Sequence, residues 1–276
     1  MEVIEKLQEV RDIYNSDGTV GARKGTTCNV ISDGKLRYVE KQWVFGDWVF
    51  DADYEYSVEK QIYLAANAMD LSIPRLLQFD DAERKLQIEY IPGVRPNTPC
   101  KDLRLLPMVL EFIDGYTSIL FPDDLELDKT DGSNIHKYRT DQLEYLFRYE
   151  NTWKEVDSIY ESFLVDIPYM PLPFDRILHN SLLGENGLVF VDFEWTIAGP
   201  IEFALARISV EFNRYEDHEI LRRIESWEFY LLFLLRFYLY KREPETLRPF
   251  LDSQISNGRM RTLFDMIDQN VRSWGK

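Results

Sequence analysis

The sequence predicts an α+β protein with two lobes, a small antiparallel sheet with one helix followed by a larger, mainly helical part. Up to about residue 92, short alternating or apolar runs are separated by turn residues, and a single segment has helical spacing. From about residue 100 onward, apolar residues recur mostly at the helical period. We therefore expect an N-terminal lobe at residues 1–92 and a C-terminal lobe at residues 93–276.

The N-terminal lobe is predicted to run strand, strand, helix, strand, strand. Asp33-Gly34 is a strong signal for a two-residue hairpin turn between the first two strands. Ser57 precedes a run of apolar residues at helical spacing and is the predicted N-cap of the helix. Pro92-Gly93 ends the sheet. The predicted elements are strands 29–32 and 36–43, helix 57–69, and strands 76–79 and 85–91.

The C-terminal lobe is predicted to be mainly helical. Helix-like spacing covers residues 103–120, 141–163 and 219–241, while strand-like runs cluster at residues 176–193. The longest apolar run, residues 227–240, is shorter than the roughly 20 residues that a membrane helix needs. We therefore predict a buried helix there and no membrane insertion.

Composition and charge restrict the possible partners. Hydrophobic residues make up 45% of the chain and charged residues 29%, as in ordinary globular proteins. Lys and Arg total 32 against 48 Asp and Glu, a net charge of −16, which repels nucleic acids and anionic membranes. Cys28 and Cys100 supply neither a disulfide framework nor a metal-ligand spacing, as expected in a reducing compartment. Because the N-terminus also lacks a signal-peptide pattern, we expect a cytoplasmic protein. The sequence does not indicate an oligomeric state.

Two charged residues of the N-terminal lobe match parts that phosphoryl transfer requires. This reaction needs a cation on the non-transferred phosphates, oxygen ligands for Mg²⁺ and a carboxylate that orients the attacking hydroxyl. Lys41, in the strand-like segment YVEKQW, is the candidate cation, and Glu59 in the predicted helix is the candidate partner that holds it. Taken alone, Lys41 also fits a solvated strand face, and Glu59 fits a first-turn acid favoured by the helix dipole.

The stretch DRILHNSLLGENGLVFVDFE, residues 175–194, holds the strongest set of candidates. Asp192 follows an apolar run, and a carboxylate at the end of a strand is well placed as a ligand of Mg²⁺. Asn180 offers a neutral oxygen to the same ion, and Asp175 is placed to accept or orient the proton of a substrate hydroxyl. Each residue alone fits an ordinary turn. Their order, downstream of Lys41 and Glu59, indicates one catalytic constellation.

A glycine-containing segment, residues 17–27, precedes the first clear strand. Such a loop can offer backbone N–H groups to phosphates. The glycine spacing matches neither the Walker pattern nor the dinucleotide fingerprint, so the residues alone favour a plain surface loop.

Together these motifs resemble the protein-kinase-like phosphotransferases, in particular the branch of aminoglycoside phosphotransferases and choline kinases. The resemblance covers about residues 18–207. In that branch the catalytic loop reads H-x-D-x-x-x-x-N and is followed by an apolar strand and I-D-[FW]-E. Here PFDRILHN supplies Asp175 and Asn180, and FVDFEW supplies Asp192 and Glu194. The resemblance implies a protein-kinase-like fold, with ATP and Mg²⁺ as cofactors.

Further residues follow from the resemblance. VEKQW supplies the nucleotide lysine and SVEKQIYLAA the helix glutamate. The segment IEYIPG resembles the family's hinge, so the backbone of Glu89, Tyr90 and Ile91 is expected to hold adenine. The segment KGTTCNVIS resembles the family's phosphate loop, with Gly25 and Asn29 at its usual glycine and asparagine.

The chain departs from the family pattern at two places. Pro173 replaces the first histidine of the catalytic loop, and residues 199–204, GPIEFA, lack the aspartate that usually follows the G-x-P motif. Arg207 is a candidate to brace the loop instead. His179, next to Asn180, fits a packed or solvent-facing histidine better than a catalyst.

The resemblance implies transfer of the γ-phosphate of ATP to a hydroxyl of a small molecule, a sugar or a glycan. The sugar and glycan acceptors come from a similarity of FDRILHNSL…LVFVDFEW to kinase domains found with bacterial polysaccharide and lipopolysaccharide assembly enzymes. Two alternatives stay open. One is a pseudokinase that binds a nucleotide or a partner protein without transfer, and the other is a purely structural acidic domain.

Overall fold

The structure is a computed structural model that divides into two compact units. Unit 1 comprises Met1–Pro96, Asp114–Leu127 and Leu178–Thr196, and unit 2 comprises Asn97–Ile113, Asp128–Ile177 and Ile197–Lys276. The lobe boundary expected after residue 92 stays a prediction. The residues that the structure describes are 2–8, 11–14, 20–32, 34, 36–44, 51–123, 125–127, 154, 158–159, 168–173, 176–241 and 246–273.

The described strands of unit 1 form a five-stranded antiparallel sheet and two hairpins. The sheet has the order β1-β4-β5-β7-β6, and separate two-stranded pairs join β2 with β3 and β9 with β10. The strands are β1 (Glu2–Gln8), β2 (Arg11–Tyr14), β3 (Val20–Lys24), β4 (Thr26–Ser32), β5 (Arg37–Trp43), β6 (Leu76–Asp80), β7 (Lys85–Glu89), β9 (Ser181–Gly184) and β10 (Gly187–Phe190). Of the other two strands, β8 (Met170–Pro173) belongs to unit 2, and β11 (Thr196–Gly199) begins at the last residue of unit 1 and continues in unit 2.

The predicted strands of the sheet are present, with shifted ends. Strand β4 begins three residues before the predicted residue 29, and β7 ends at Glu89 rather than at residue 91. The connection between β4 and β5 spans residues 33–36, so the predicted two-residue turn is wrong, although Gly34 does adopt a positive φ of 87° there. Asp33 lies outside the described residues.

The sequence did not reveal the first three strands. Strand β1 pairs with β4 at the edge of the sheet, and its residues Val3 and Leu7 are about half exposed, so its apolar positions carry little pattern. Residues 17–27 were expected to form a loop, but Val20–Lys24 forms β3, which pairs with β2. Each of these three strands is defined by its pairing partner, and local residue spacing does not specify that partner.

Helix α1 (Ala52–Met69) begins earlier than predicted. Its N-cap is Asp51, whose side-chain Oδ1 accepts a 2.7 Å hydrogen bond from the backbone N of Tyr54. The assignment of Ser57 as N-cap is therefore wrong, and Ser57 lies in the second turn. An aspartate is as good a cap as a serine, and the acids Asp53 and Glu55 favour the first turn of a helix electrostatically.

The core of unit 1 lies between α1 and the sheet. Helix α1 packs against β5 and buries Val58, Ile62 and Ala66. Trp43, at the end of β5, is fully buried and packs edge-on against Tyr56 of the helix, with 5.6 Å between ring centroids. This packing fixes one face of α1 against β5.

The other described helices are α2 (Leu105–Tyr116), α3 (Ile201–Phe212), α4 (His218–Leu221), α5 (Trp227–Lys241), α6 (Leu247–Gln254) and α7 (Gly258–Ser273). The first of them, α2, is shorter at both ends than the predicted helix 103–120. In unit 2, α5 packs against α3, α6 and α7, and residues 229–238 of its apolar run are buried, as predicted. Most of the predicted helix 141–163 lies outside the described residues. Among the helices described, none is both long and apolar enough to cross a membrane.

The predicted helix 219–241 is interrupted. Helix α4 ends at Leu221, and α5 begins only at Trp227. The carboxylate Oε1 of Glu202 accepts hydrogen bonds from the backbone N of Glu225, at 2.8 Å, and of Ser226, at 2.7 Å. A side chain distant in sequence thus satisfies the free N–H groups just before α5, which explains the new helix start.

Candidate functional site

Lys41 of β5 lies at the centre of an ion cluster in unit 1. Its side chain is almost completely buried, and its Nζ contacts three carboxylates within the described part of the chain. The distances are 2.6 Å to Oε2 of Glu59, 2.6 Å to Oδ1 of Asp192 and 3.1 Å to Oε2 of Glu194. The ring of Trp43 also lies 4.9 Å from Nζ. The structure thus brings together three of the predicted site residues, which are up to 151 positions apart in sequence.

Glu59 reaches Lys41 from helix α1. It lies next to the buried Val58, on the face of α1 that packs against the sheet, and is itself 1% exposed. Burial raises the pKa of Glu59 to about 8, although the positive charge of Lys41 opposes this shift. Burial alone would lower the pKa of Lys41, but the charges of the carboxylates around it outweigh burial and raise that pKa well above its usual value.

Asp192 follows strand β10 by two residues and adopts a left-handed backbone conformation, with a φ of 69°. Aspartate is among the few residues besides glycine that tolerate this conformation. Asn180 lies beside it. The Nδ2 of Asn180 donates to the backbone oxygen of Asp192 at 3.4 Å, and the N of Val191 donates to the backbone oxygen of Asn180 at 2.8 Å. The two predicted metal ligands are therefore neighbours in the structure.

The cluster has the chemistry of a site for a hard divalent cation. One carboxylate oxygen each from Glu59, Asp192 and Glu194 lies within 4.8 Å of the others. Carboxylate and amide oxygens are the ligands that Mg²⁺ prefers. Asp192 is the most accessible of the three acids, since its side chain is 42% exposed while that of Glu59 is 1% exposed. Asp192, with Asn180 beside it, is thus the residue best placed to receive an ion.

Aromatic residues support the segment that carries Asp192. The ring of Phe193 packs edge-on against Tyr63 of α1, at 5.6 Å, and lies 5.8 Å from Tyr116 at the end of α2. The hydroxyl of Thr196 donates to the backbone oxygen of Phe193 at 2.7 Å and lies 2.6 Å from the hydroxyl of Tyr116. Sequence reasoning missed these supports. Tyr63 follows Glu59 by one helical turn, a spacing that could have indicated it.

Two further neighbours of Lys41 had no predicted site role. Glu194 is part of the FVDFEW motif, but the motif indicates neither its burial nor its contact with Nζ of Lys41. Cys28 lies opposite Lys41 in the pairing of β4 with β5. Burial raises the pKa of its thiol to about 12, so the thiol stays protonated near neutral pH.

The predicted hinge residues, Glu89, Tyr90 and Ile91, lie at the end of β7, the strand that pairs with β5. Glu89 is the last residue of β7, and its N donates to the backbone oxygen of Arg75 at 2.9 Å. Within the same sheet, Lys41 pairs with Leu86, three residues before Glu89. Tyr90 and Ile91, predicted as part of the strand, lie beyond its end and are half-buried. Their backbone groups are therefore outside the sheet's hydrogen-bond ladder.

The segment after the hinge is held close to β9. The N of Val94 donates to the backbone oxygen of Leu183 at 3.2 Å, and the N of Leu183 donates back at 2.8 Å. A Cβ at Gly93 would lie 3.0 Å from the same oxygen of Leu183, which explains the glycine. One residue further, Nη1 of Arg95 lies 3.3 Å from Nε2 of the exposed His179. His179 is thus solvent-facing, which is one of the two placements expected for it.

The remaining candidates lie apart from these contacts or outside the described residues. Gly25 is buried between β3 and β4, and its backbone oxygen accepts a 2.7 Å hydrogen bond from the N of Val44. Asp175 lies outside the described residues, and its role stays a prediction. Pro173 ends β8 in unit 2. Also in unit 2, Arg207 is buried on α3, with its guanidinium 4.8 Å from the ring centroid of Phe237.

Comparison with known proteins shows similarity in structure. We find no match to a protein-family model and none to a curated protein sequence. Choline kinase LicA from Streptococcus pneumoniae is 15% identical to the chain, with a TM-score of 0.58 over 98% of this chain and 95% of that one. A thermostable mutant of aminoglycoside phosphotransferase APH(4)-Ia in its apo form is also 15% identical, with a TM-score of 0.52 over 96% and 94%. Spectinomycin phosphotransferase APH(9)-Ia, solved with ADP and spectinomycin, is 12% identical, with a TM-score of 0.51 over 94% and 93%.

These similarities establish the fold. The chain has the protein-kinase-like fold found in choline kinases and aminoglycoside phosphotransferases, as its motifs predicted. Because the alignments extend over nearly all of this chain and of each neighbour, the likeness concerns the whole architecture.

Proposed function

We propose that the chain is an ATP- and Mg²⁺-dependent phosphotransferase that moves the γ-phosphate of ATP to a hydroxyl of a small molecule, a sugar or a glycan. The observation that carries this proposal is the contact of Lys41 with Glu59 and Asp192, at 2.6 Å each, within a protein-kinase-like fold. A buried lysine held by a helix glutamate next to a potential metal ligand is an arrangement suited to a phosphate chain.

Each residue of the cluster has a distinct proposed task. Lys41, oriented by Glu59, binds the non-transferred phosphates with its ammonium group. Asp192 and Asn180 hold Mg²⁺, which when bound neutralises negative charge on the phosphate chain. Gly25 belongs to the loop over the phosphates. The backbone of Glu89, Tyr90 and Ile91 binds the adenine ring, and the groups of Tyr90 and Ile91 lie beyond the end of the sheet.

Asp175 is the proposed contact of the acceptor. The acceptor hydroxyl oxygen attacks the γ-phosphorus while the bond to the bridging oxygen of ADP breaks, and the hydroxyl proton passes to the Asp175 carboxylate. The chain then contributes mainly positioning and electrostatic stabilisation to the rate. The products are ADP and a phosphorylated acceptor.

The ligands of structural neighbours support a nucleotide and a small acceptor. LicA has been solved with AMP, and APH(9)-Ia with ADP and spectinomycin. The net charge of −16 suits a cationic acceptor such as an amino-alcohol or an aminoglycoside, and equally a neutral sugar. We therefore place all three classes in the acceptor screen.

The test is phosphate transfer from ATP with Mg²⁺ to a panel of amino-alcohols, aminoglycosides and sugars, followed by variants on the best acceptor. We expect Asp192→Asn and Asp175→Ala each to lower kcat at least about 100-fold, since each removes a charge that acts in the transition state. Glu185→Gln, an exposed acid in the turn after β9, is the matched control and should keep native kcat. Full turnover in Asp175→Ala would refute its assignment.

A pseudokinase is the second candidate, and Pro173 in place of the family's histidine favours it. The same experiment separates the two functions. Binding of ATP with Mg²⁺ without transfer to any acceptor or to water would support the pseudokinase. Transfer or slow ATP hydrolysis that Asp192→Asn abolishes would support the enzyme.

A further inference from the structure

We propose that Glu194 makes nucleotide binding dependent on a divalent cation, by acting as a further anionic partner of Lys41. This inference rests on the proposed function, in which Glu194 has no task. The Glu194 residue is 8% exposed, and its Oε2 lies 3.1 Å from Nζ of Lys41. The charge of Glu194 therefore acts directly on the ammonium group of Lys41.

The ammonium group of Lys41 has as many carboxylate neighbours as it has N–H donors. An ammonium has three donors and no acceptor. Among the described residues, Nζ donates hydrogen bonds to Glu59 and Asp192, at 2.6 Å each, and Glu194 adds an ionic contact at 3.1 Å. A phosphate oxygen must therefore compete with three negatively charged neighbours for the ammonium group, and it gains a stronger contact when one of them withdraws.

Asp192 is the carboxylate that can withdraw. Its side chain is 42% exposed, whereas those of Glu59 and Glu194 are 1% and 11% exposed and are enclosed by protein. A cation that binds Asp192 draws this carboxylate away from Lys41 and frees for phosphate the donor that now contacts Asp192. Glu59 and Glu194 then keep the ammonium in place.

The negative charge of the cluster also makes nucleotide binding depend on a cation. Asp192 and Glu194 alone carry more negative charge than the ammonium carries positive charge, even while Glu59 holds a proton, and the cluster is the proposed binding place of an anionic phosphate chain. Charges in a poorly hydrated place are weakly screened, so Glu194 disfavours a nucleotide that arrives without a cation. A divalent cation cancels this repulsion. Cation and nucleotide must then raise each other's affinity by the same factor.

The experiment measures this coupling factor by calorimetry. The affinity for ADP is determined with excess Mg²⁺ and again with EDTA, for the native chain and for Glu194→Gln. We expect Glu194→Gln to tighten metal-free binding and to lower the coupling factor at least about fivefold, the lower end of the usual range. Glu185→Gln removes the same charge at an exposed position and should leave the factor unchanged.

Further variants keep the test decisive. Glu194→Asp retains the charge and should retain most of the coupling. Glu194→Met, an apolar side chain of similar size, gives the same comparison if the glutamine variant does not fold. Circular dichroism and melting curves establish which variants are folded.

Either of two results in the variants would overturn this inference and leave the proposed function intact. The first is a coupling factor in Glu194→Gln within about twofold of native. The second is a loss of affinity for ADP with Mg²⁺ and unchanged metal-free affinity, which would make Glu194 a metal ligand only. Failure of the native chain itself to bind ADP with Mg²⁺ would overturn the proposed function, and the inference with it.

Discussion

The ammonium group of Lys41 is enclosed by acids at a place that water barely reaches. Removing one partner of a buried ion pair typically costs about 3–5 kcal/mol, because the remaining charge is left uncompensated. Replacing Lys41 would leave Glu59, Asp192 and Glu194 without their shared cation, and would change folding and binding together. Isosteric changes of single acids therefore report on the site more cleanly than changes of Lys41 do.

The first prediction is that Glu59 makes the free energy of unfolding depend on pH. Burial raises the pKa of Glu59 to about 8, against 4.5 for an ordinary glutamate. Between these values the folded chain holds a proton that the unfolded chain has released. The stabilisation that this proton gives the folded chain is thus fully present below pH 4.5 and is lost as pH rises towards 8. We expect the free energy of unfolding of Glu59→Gln to depend less on pH over this window than that of the native chain.

The measurement is urea unfolding at intervals across that window. Glu185→Gln, which changes an exposed acid, should show the native pH dependence. A Glu59→Gln variant with the native slope would show that another group carries the titration.

At the scale of elements, helix α1 links the sheet to the segment after β10. It carries Glu59 to Lys41, and one turn later it places Tyr63 against Phe193. A shift of α1 along its axis would alter both contacts at once. The start of the helix is therefore relevant to the site, although it lies two turns before Glu59.

The prediction at this scale concerns the cap of α1. Asp51→Ala removes the side-chain oxygen that accepts from the N of Tyr54, and should lower the free energy of unfolding by about 1 kcal/mol. Ser57→Ala is the matched control, since Ser57 lies inside the helix, and it should change stability by less than about 0.5 kcal/mol. Chemical denaturation of both variants checks this. A larger loss in Ser57→Ala than in Asp51→Ala would contradict the observed helix start.

Considered as a whole, the molecule is strongly acidic, and its proposed ligand is a polyanion. The net charge of −16 gives no general attraction for a nucleotide, so binding depends on local groups. Lys41 is the cation at the described cluster, and it is already engaged by carboxylates. A divalent cation supplied with the nucleotide resolves this conflict of charge.

The whole-molecule prediction is a thermal shift. A ligand at 100 times its Kd stabilises a folded protein by about 2.7 kcal/mol. For a chain of this size we expect saturating ADP with Mg²⁺ to raise Tm by roughly 5 °C or more. Asp175→Ala should retain the shift, because its proposed contact is the acceptor. Adenosine, which lacks phosphates, is the control ligand and should give a much smaller shift. No shift with any nucleotide would favour the structural acidic domain.

Most of the sheet and the fold class could be predicted because their signals are local. Apolar alternation marked β5 and β7, helical spacing marked α1, and turn residues separated them. Strands β1 to β3 could not be predicted in the same way, because their pairing partners define them. The break between α4 and α5 depends on Glu202, whose hydrogen bonds cross more than twenty positions.

Local motifs were enough to predict the kinase-like order of the chain and most of the residues of the candidate site. Lys41, Glu59, Asn180 and Asp192 could be named because each motif is local in sequence. The contact of Lys41 with Glu194, and the greater exposure of Asp192 among the acids around Lys41, became visible only in the folded chain. Burial and charge neighbourhood arise from packing between distant segments. For that reason a sequence can identify a charged residue without showing which other charges lie next to it in the folded protein.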